Sequence, residues 1–147
     1  MKYSTKLSDS IHLLLFIYLN PKDNLSSSAI AESIKTNPAY IRQLMSALKK
    51  ADLIHNTQGV AAPVITRDLS EITFYDMYQA IEGDKPLLHL DTHTNPLCGV
   101  GINIQFAIGD FYDEIQDIAN EKMKQMTMQD VLKRYEAKIE NGLDIVV

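Results

Sequence analysis

The chain has 147 residues, 46% of them hydrophobic, and a formal net charge of −5 at pH 7. This length fits a single domain with, at most, an appended helical element, and its apolar content allows a sizeable core. No apolar run approaches the roughly 20 residues of a membrane span, and the start MKYSTKLSDS lacks the pattern of a signal peptide. Since one cysteine cannot form an internal disulfide, a reducing cytoplasmic location is expected.

The charge is divided unevenly along the chain. Residues 1–67 contain eight lysines and arginines against four acidic residues, a net charge of +4. Residues 68–147 contain six basic and fifteen acidic residues, a net charge of −9. A basic N-terminal half on an acidic protein indicates that this half meets a polyanion. The overall acidity argues only against indiscriminate coating of nucleic acid.

Three amphipathic helices are predicted in the N-terminal third. Residues 8–19 repeat apolar side chains at helical spacing. A second helix should start near Ser27 or Ser28, whose hydroxyl can accept a hydrogen bond from an unpaired backbone N–H. A third helix, residues 38–51, is introduced by Asn37 as N-cap and has Pro38 at its first position, where no N–H is needed. A turn containing Pro21 separates the first two helices.

A small hairpin and a fourth helix follow. Residues 53–57 and 64–66 are rich in residues that favour strands and surround a turn containing Gly59 and Pro63. The fourth helix, Phe74–Glu82, should begin at a capping box formed by Thr73 and Asp76. Gly83 is suited to its C-terminal end. Three helices followed by a hairpin is the order of a winged helix-turn-helix.

The C-terminal third predicts one long helix and a last short helix. From Val100 onward, steps of three and four residues describe a narrow apolar seam, which comprises Ile104, Ile108, Phe111, Ile115 and Ile118 and continues to Met123 and Met126. An apolar face of this length needs a partner, and a second copy of the chain is the simplest one. The alternative is that the seam packs on the N-terminal half of its own chain. A last helix should start at Thr127 and bury Val131, Leu132, Tyr135 and Ile139.

These patterns predict a mainly α fold with a small β-hairpin: a winged helix-turn-helix DNA-binding domain (residues 1–84), a connector (85–98) and dimerisation helices (99–147). Arg42 and Gln43 are of the types that read base edges, whereas Lys49 and Lys50 suit phosphates. The full set of predicted DNA contacts is Lys2, Ser27, Ser28, Asn37, Ala39, Tyr40, Arg42, Gln43, Ser46, Lys49, Lys50 and Gln58. The alternative is a winged-helix protein-interaction module without specific DNA binding. No motif of an enzyme is visible, so no catalytic residues are predicted.

Several stretches resemble the Rrf-two (Rrf2) family of bacterial winged-helix transcription regulators. They are MKYSTKLSDSIHLLL, AIAESIKTNPAYIRQLMSALKKADLI and EITFYDMYQAIEG, and NPLCGVG is similar to the Asn-Pro-x-Cys-x-Val-Gly element of the YwnA-like branch. The resemblance implies a repressor that binds a pseudo-palindromic operator as a homodimer held by the long helix. Iron–sulfur members carry three clustered cysteines after the winged domain, where this chain has only Cys98, so no cofactor is expected. The turn of the hairpin also lacks the basic residue usual in the family, so the recognition helix is expected to dominate DNA binding.

The stretch HLDTHTNPLCGVG raises two further alternatives, a metal site and a reactive thiol. His89, Asp91, His93 and Cys98 are possible zinc ligands, but their spacing matches no standard signature, and no metal is predicted. Asn95 and Pro96 should place Cys98 in the first turn of the long helix, where the helix dipole favours a thiolate. Cys98 is therefore a candidate redox-sensing residue. The alternative is a small buried side chain that fills the start of the helix.

Overall fold

The helix-turn-helix occupies the first half of the computed structural model, which describes residues 3–21, 25–56 and 63–142. Its helices are α1 (Lys6–Leu19), α2 (Ser27–Ile34) and α3 (Pro38–Lys50). α1 begins two residues earlier than predicted. The cap of α2 is Ser26, whose side chain accepts a hydrogen bond from the Ala29 N–H, and the helix itself begins at Ser27. α3 begins at Pro38 behind Asn37, as predicted.

The wing is an antiparallel hairpin of β1 (Ile54–Asn56) and β2 (Pro63–Ile65), in which Ile54 pairs with Ile65. β1 begins one residue later than predicted, and β2 has the predicted length of three residues but lies one residue earlier. The backbone N–H of Thr66 donates to the Leu53 carbonyl, and its hydroxyl donates to the Asp52 carbonyl at 2.6 Å. These bonds close the base of the hairpin against the end of α3. Pro63, predicted in the turn, lies in β2, and the rest of the predicted turn lies outside the described residues.

The second half contains a short 3-10 helix (Leu69–Glu71), α4 (Phe74–Glu82), α5 (Gly99–Lys124) and α6 (Met128–Glu140). The predicted capping box at the start of α4 is present, and a second one opens α6 at Thr127. α5 has 26 residues, which at about 1.5 Å per residue gives a helix roughly 39 Å long. The mainly α winged-helix fold is confirmed. No helix within the described ranges is both long and apolar enough to cross a membrane.

The starts of α4 and α6 lie side by side. The Phe74 N–H donates to the Met126 carbonyl and the Met128 N–H to the Ile72 carbonyl, both at 2.8 Å. Met128 and Leu132 then enter the same core as α1, α2 and α3. Beyond this first half, α6 leaves the core, and the prediction that Tyr135 and Ile139 are buried is wrong: they are 44% and 59% exposed. The division into residues 1–84, 85–98 and 99–147 stays a prediction.

The core is centred on the helix-turn-helix and α4. Its fully buried side chains include Leu13, Leu14, Ile30, Ile41, Leu48, Ile72 and Met77. α5 packs on α4 and, apart from Met123, has no buried side chain. The predicted extension of the seam to Met123 is therefore wrong, because this residue turns inward at the end of α5.

Candidate nucleic-acid interface and dimer surface

The rotation of α3 separates a buried stripe from a polar one. Ile41, Leu44, Met45 and Leu48 face the core. Since each residue turns an α-helix by about 100°, Ala39, Gln43, Ser46 and Lys50 follow one another along the opposite side. All four are exposed. We call this set the outer stripe of α3.

Arg42 and Lys49 are exposed on one flank of the outer stripe. The Arg42 guanidinium donates to the hydroxyl of Ser27 at 3.3 Å, so this flank faces the start of α2. The backbone N–H groups in the first turn of a helix have no intrahelical acceptor and favour anions. Arg42 and Ser27 are thus brought together at one edge of the helix-turn-helix, beside the first turn of α2, which also contains Ser28.

Two predicted DNA contacts hold α3 in place. The Asn37 side chain accepts a hydrogen bond from the Tyr40 N–H at 2.8 Å, and the Tyr40 hydroxyl donates to Asp9 of α1 at 2.8 Å. Burial, followed by this hydrogen bond and the charge of Asp9, raises the pKa of Tyr40 to about 12. Asp9 was not predicted to matter, and no local pattern identifies it, because its partner lies 31 residues away.

The described part of the wing offers few side chains for DNA contact. His55 is exposed on β1. The first basic residue after β2 is Arg67, whose guanidinium lies 4.0 Å from the Asp76 carboxylate at the start of α4. Lys2 and Gln58, both predicted to contact DNA, lie outside the described residues.

The predicted seam of α5 is largely bare in the single chain. Ile104, Phe111, Ile115 and Ile118 are 50%, 66%, 48% and 72% exposed, and Ile108 is half-buried. Val100 extends the same side of the helix toward its start and is also exposed. Packing on α4 uses another side of α5. The alternative in which the seam packs on its own N-terminal half is therefore wrong for Ile104, Phe111, Ile115 and Ile118.

The connector runs back along α5. The Leu87 N–H donates to the Gln116 side chain at 2.8 Å, and Leu90 lies so close to Gly109 that a Cβ there would come within 3.3 Å of it. The Tyr78 hydroxyl of α4 donates to the carbonyl of Lys85 at the start of the connector. The connector is thus fastened to both helices before α5 begins.

Cys98 is the N-cap of α5, one position before the predicted first turn. Its sulfur accepts a weak hydrogen bond from the Gly101 N–H at 3.5 Å, and the residue is exposed. The alternative of a buried, space-filling cysteine is wrong. In the same stretch Asp91 accepts a hydrogen bond from the His93 N–H at 2.8 Å. Within the described ranges, no group of three or more His, Cys, Asp or Glu side chains could hold a metal ion.

A helix-turn-helix with an exposed polar stripe on its third helix, a hairpin beside it and a long helix with a bare apolar seam define a winged-helix DNA-binding protein. Residues 3–134 match the model of the Rrf2 family, which is described as an iron-dependent transcriptional regulator. The chain belongs to the Rrf2 family, and it is a DNA-binding transcriptional regulator.

Individual relatives agree with this assignment. YwnA of Bacillus subtilis (strain 168), named as an HTH-type transcriptional regulator, is 30% identical over 129 residues, which cover 88% of this chain and 96% of that protein. A crystal structure of a protein described as DNA-binding is 30% identical, with a TM-score of 0.70 over 86% of this chain and 98% of that one. CymR (YrzC), the global cysteine regulator of B. subtilis, shares the fold at 21% identity, with a TM-score of 0.63 over 89% of this chain and 95% of its own.

The iron in the family's description does not fit the donor atoms of this chain. Cysteine thiolates are the usual ligands of an iron–sulfur cluster. The chain has one cysteine. Among the residues that the structure describes, no His, Asp or Glu side chains join Cys98 in a group of three that could hold a metal ion. No step of the function proposed below therefore passes through iron.

Proposed function

We propose that the chain is a homodimeric repressor that presents two copies of α3 to successive turns of the major groove of a pseudo-palindromic operator. The observation that carries the proposal is the bare seam of α5, because an isologous contact would cover it and fix the distance between the two α3 helices. Half-sites roughly one helical turn of DNA apart, or a small multiple of it, are then expected.

The positions of residues on α3 support different DNA contacts for different side chains. Residues near the start of a recognition helix reach base edges, which gives Ala39 and Gln43 the reading positions. Gln pairs well with adenine in the major groove. The contact of Arg42 with Ser27 supports a phosphate contact for Arg42, although a guanine contact was the prediction from the sequence. Lys49 and Lys50, in the last turn of α3, suit phosphates.

Asn37 and Tyr40 act in this proposal by positioning. Their polar groups already bind the α3 backbone and Asp9, so they hold the helix at its angle to α1. The wing was predicted to contribute little, because its turn from Gln58 to Pro63 contains no Lys or Arg, where the family usually carries a basic residue. The recognition helix therefore carries most of the sequence specificity.

A gel-shift titration on the promoter of the chain's own gene, at physiological salt, tests DNA binding. The Arg42→Ala, Gln43→Ala double variant should lose specific affinity. Lys49→Ala should mainly flatten the dependence on salt, by a slope of about 2 per dimer if each copy contacts one phosphate. Lys133→Ala, an exposed lysine on α6, is the matched control. Full operator affinity in the double variant would refute the assignment of α3.

Repression and its signal need separate experiments. The family resemblance supports repression, and a reporter fused to the promoter should be more active in a strain without the gene. The exposed sulfur of Cys98 supports a redox signal. Because a regulator of this kind works where the chromosome lies, the proposal is consistent with the predicted cytoplasmic location. The acidic second half supports the alternative of a protein-interaction module, which predicts no specific gel shift.

A further inference from the structure

A cavity of about 530 Å³ opens at the base of the wing, where α1, β2, the 3-10 helix and α6 meet. Ile17 and Leu69 form its buried floor, and Pro63 and Ile65 line its wall. Tyr18 and Val64 stand half-exposed at its rim. Sites for small molecules have volumes of about 300–1,000 Å³ and are mostly apolar. The size and lining of this cavity therefore suit a small ligand.

Two polar side chains at the cavity have hydrogen-bonding capacity to spare. The Arg67 guanidinium has a loose partner at 4.0 Å, an oxygen of Asp76 that already accepts a hydrogen bond from the Thr73 N–H at 2.9 Å. A guanidinium has five N–H donors, most of which are left for a ligand. Gln129, in the first turn of α6, forms no side-chain hydrogen bond with any residue that the structure describes.

A third polar side chain limits the charge of the ligand. Asp68 accepts hydrogen bonds from the backbone N–H and the hydroxyl of Ser70 at 2.9 and 2.7 Å. These bonds lower the pKa of Asp68, so a charged carboxylate lines the same cavity as the Arg67 cation. One anion and one cation in the lining disfavour a ligand with several negative charges, such as a nucleotide.

We propose that this cavity binds a small organic acid with an apolar body and a single carboxylate, and that the bound acid alters operator affinity. The carboxylate pairs with Arg67, Gln129 donates a second hydrogen bond, and the body of the ligand lies on Ile17 and Leu69. The regulatory part rests on the proposed function. The cavity joins β2 of the wing to the start of α6, which follows the end of α5. A ligand that prefers one arrangement of these elements shifts the protein toward it, and DNA binding and ligand binding then affect each other equally.

A titration of the full-length protein without DNA, followed by amide chemical shifts, tests the binding. The probes are 3-phenylpropionate, its neutral amide 3-phenylpropanamide, and benzylmalonate, which carries two carboxylates. 3-Phenylpropionate should shift the amides that line the cavity, and the other two probes should bind about tenfold more weakly. Arg67→Gln and Gln129→Ala should each weaken the binding of 3-phenylpropionate, whereas Arg134→Gln, at an exposed position of α6 outside the cavity, should leave it unchanged.

Equal binding of the amide, unchanged affinity in both cavity variants, or shifts confined to the seam of α5 would overturn the proposed site. The regulatory part is tested by the operator affinity of wild type and Arg67→Gln with saturating 3-phenylpropionate, and only wild type should respond. An unchanged operator affinity in wild type would overturn regulation. Because the first titration contains no DNA, it tests the ligand site even if the protein binds no operator.

Discussion

The seam of α5 offers a direct test of the dimer, because the same helix carries a matched control. Phe111 lies on the seam and is 66% exposed, whereas Phe106 is 70% exposed and lies on the opposite side of the helix. The two side chains are chemically identical and equally bare in the single chain. If α5 pairs with a second copy through the seam, only Phe111 becomes buried on assembly.

The expected size of the effect follows from the exposed fraction. Burying a whole phenylalanine side chain stabilises by up to about 3 kcal/mol, so the two-thirds of Phe111 that is exposed contributes about 2 kcal/mol per copy. A two-fold interface contains two copies, so Phe111→Ala should weaken the dimer by about 4 kcal/mol, or roughly a thousandfold in Kd. Phe106→Ala should leave the Kd unchanged.

Sedimentation velocity over a series of protein concentrations measures both dissociation constants, and circular dichroism checks that the helix content is retained. A dimer that survives Phe111→Ala intact would refute the seam as the interface. Equal weakening by Phe106→Ala would show that α5 pairs through another face. If either variant loses helix content, Ile118→Ala provides a second test, because it removes an apolar side chain that is 72% exposed on the same seam. This variant should also weaken the dimer.

Three further predictions concern the positioning of α3, the cap of α6 and the thiol. Tyr40→Phe removes the hydrogen bond to Asp9 and should lower the unfolding free energy in urea by about 1 kcal/mol. Folding raises the pKa of Tyr40 to about 12, so the contribution of Tyr40 to stability is complete below pH 10 and is lost as the pH rises toward 12. The unfolding free energy of Tyr40→Phe should therefore fall less than that of wild type over this range. Parallel pH profiles of the two proteins would contradict this. Thr127→Ala should cost about 1 kcal/mol in the same assay, and no loss would show that the backbone bonds alone hold α6. The exposed Cys98 should be alkylated in the native protein, and peroxide should block this reaction. If peroxide leaves operator binding unchanged in both wild type and Cys98→Ser, redox sensing has no support.

Local signals predicted most of the fold, because each lies within a few residues of its effect. The Asn37 side chain binds the Tyr40 N–H at the start of α3, and Thr73 and Asp76 bind each other at the start of α4. Each of these contacts spans three residues, and both starts were predicted. The period of the apolar residues likewise predicted which side of α5 would be bare. The choice among Ser26, Ser27 and Ser28 as the cap of α2 was missed, since all three hydroxyls suit the position and only the backbone selects one of them.

Contacts between distant parts of the chain could not be predicted. The partner of Tyr40 is Asp9, and nothing in the spacing of α1 and α3 specifies that pair. The burial of α6 was overestimated because its apolar period continues to Ile139, whereas the bond between Met128 and Ile72 brings only its start onto the core. The cavity at the base of the wing was not placed either, because its lining comes from segments separated by more than 100 residues.

α4 lies between α5, the helix proposed to form the dimer, and α3, the helix proposed to read DNA. Its remaining sides pack on α1 and α3, while α5 packs along it and the cation of Lys124 lies 4.8 Å from the ring of Tyr75. The second half of α5 is also held to α4: the Phe74 N–H donates to the carbonyl of Met126 just after α5, and the connector, held by Tyr78, bonds to Gln116 through Leu87. A change in the crossing of two α5 helices would therefore carry α4, and α3 with it, as one body. In the proposed dimer the seam would set the spacing of the two α3 helices, and a signal that alters the seam or the packing of α4 would change the fit to a fixed operator without unfolding α3.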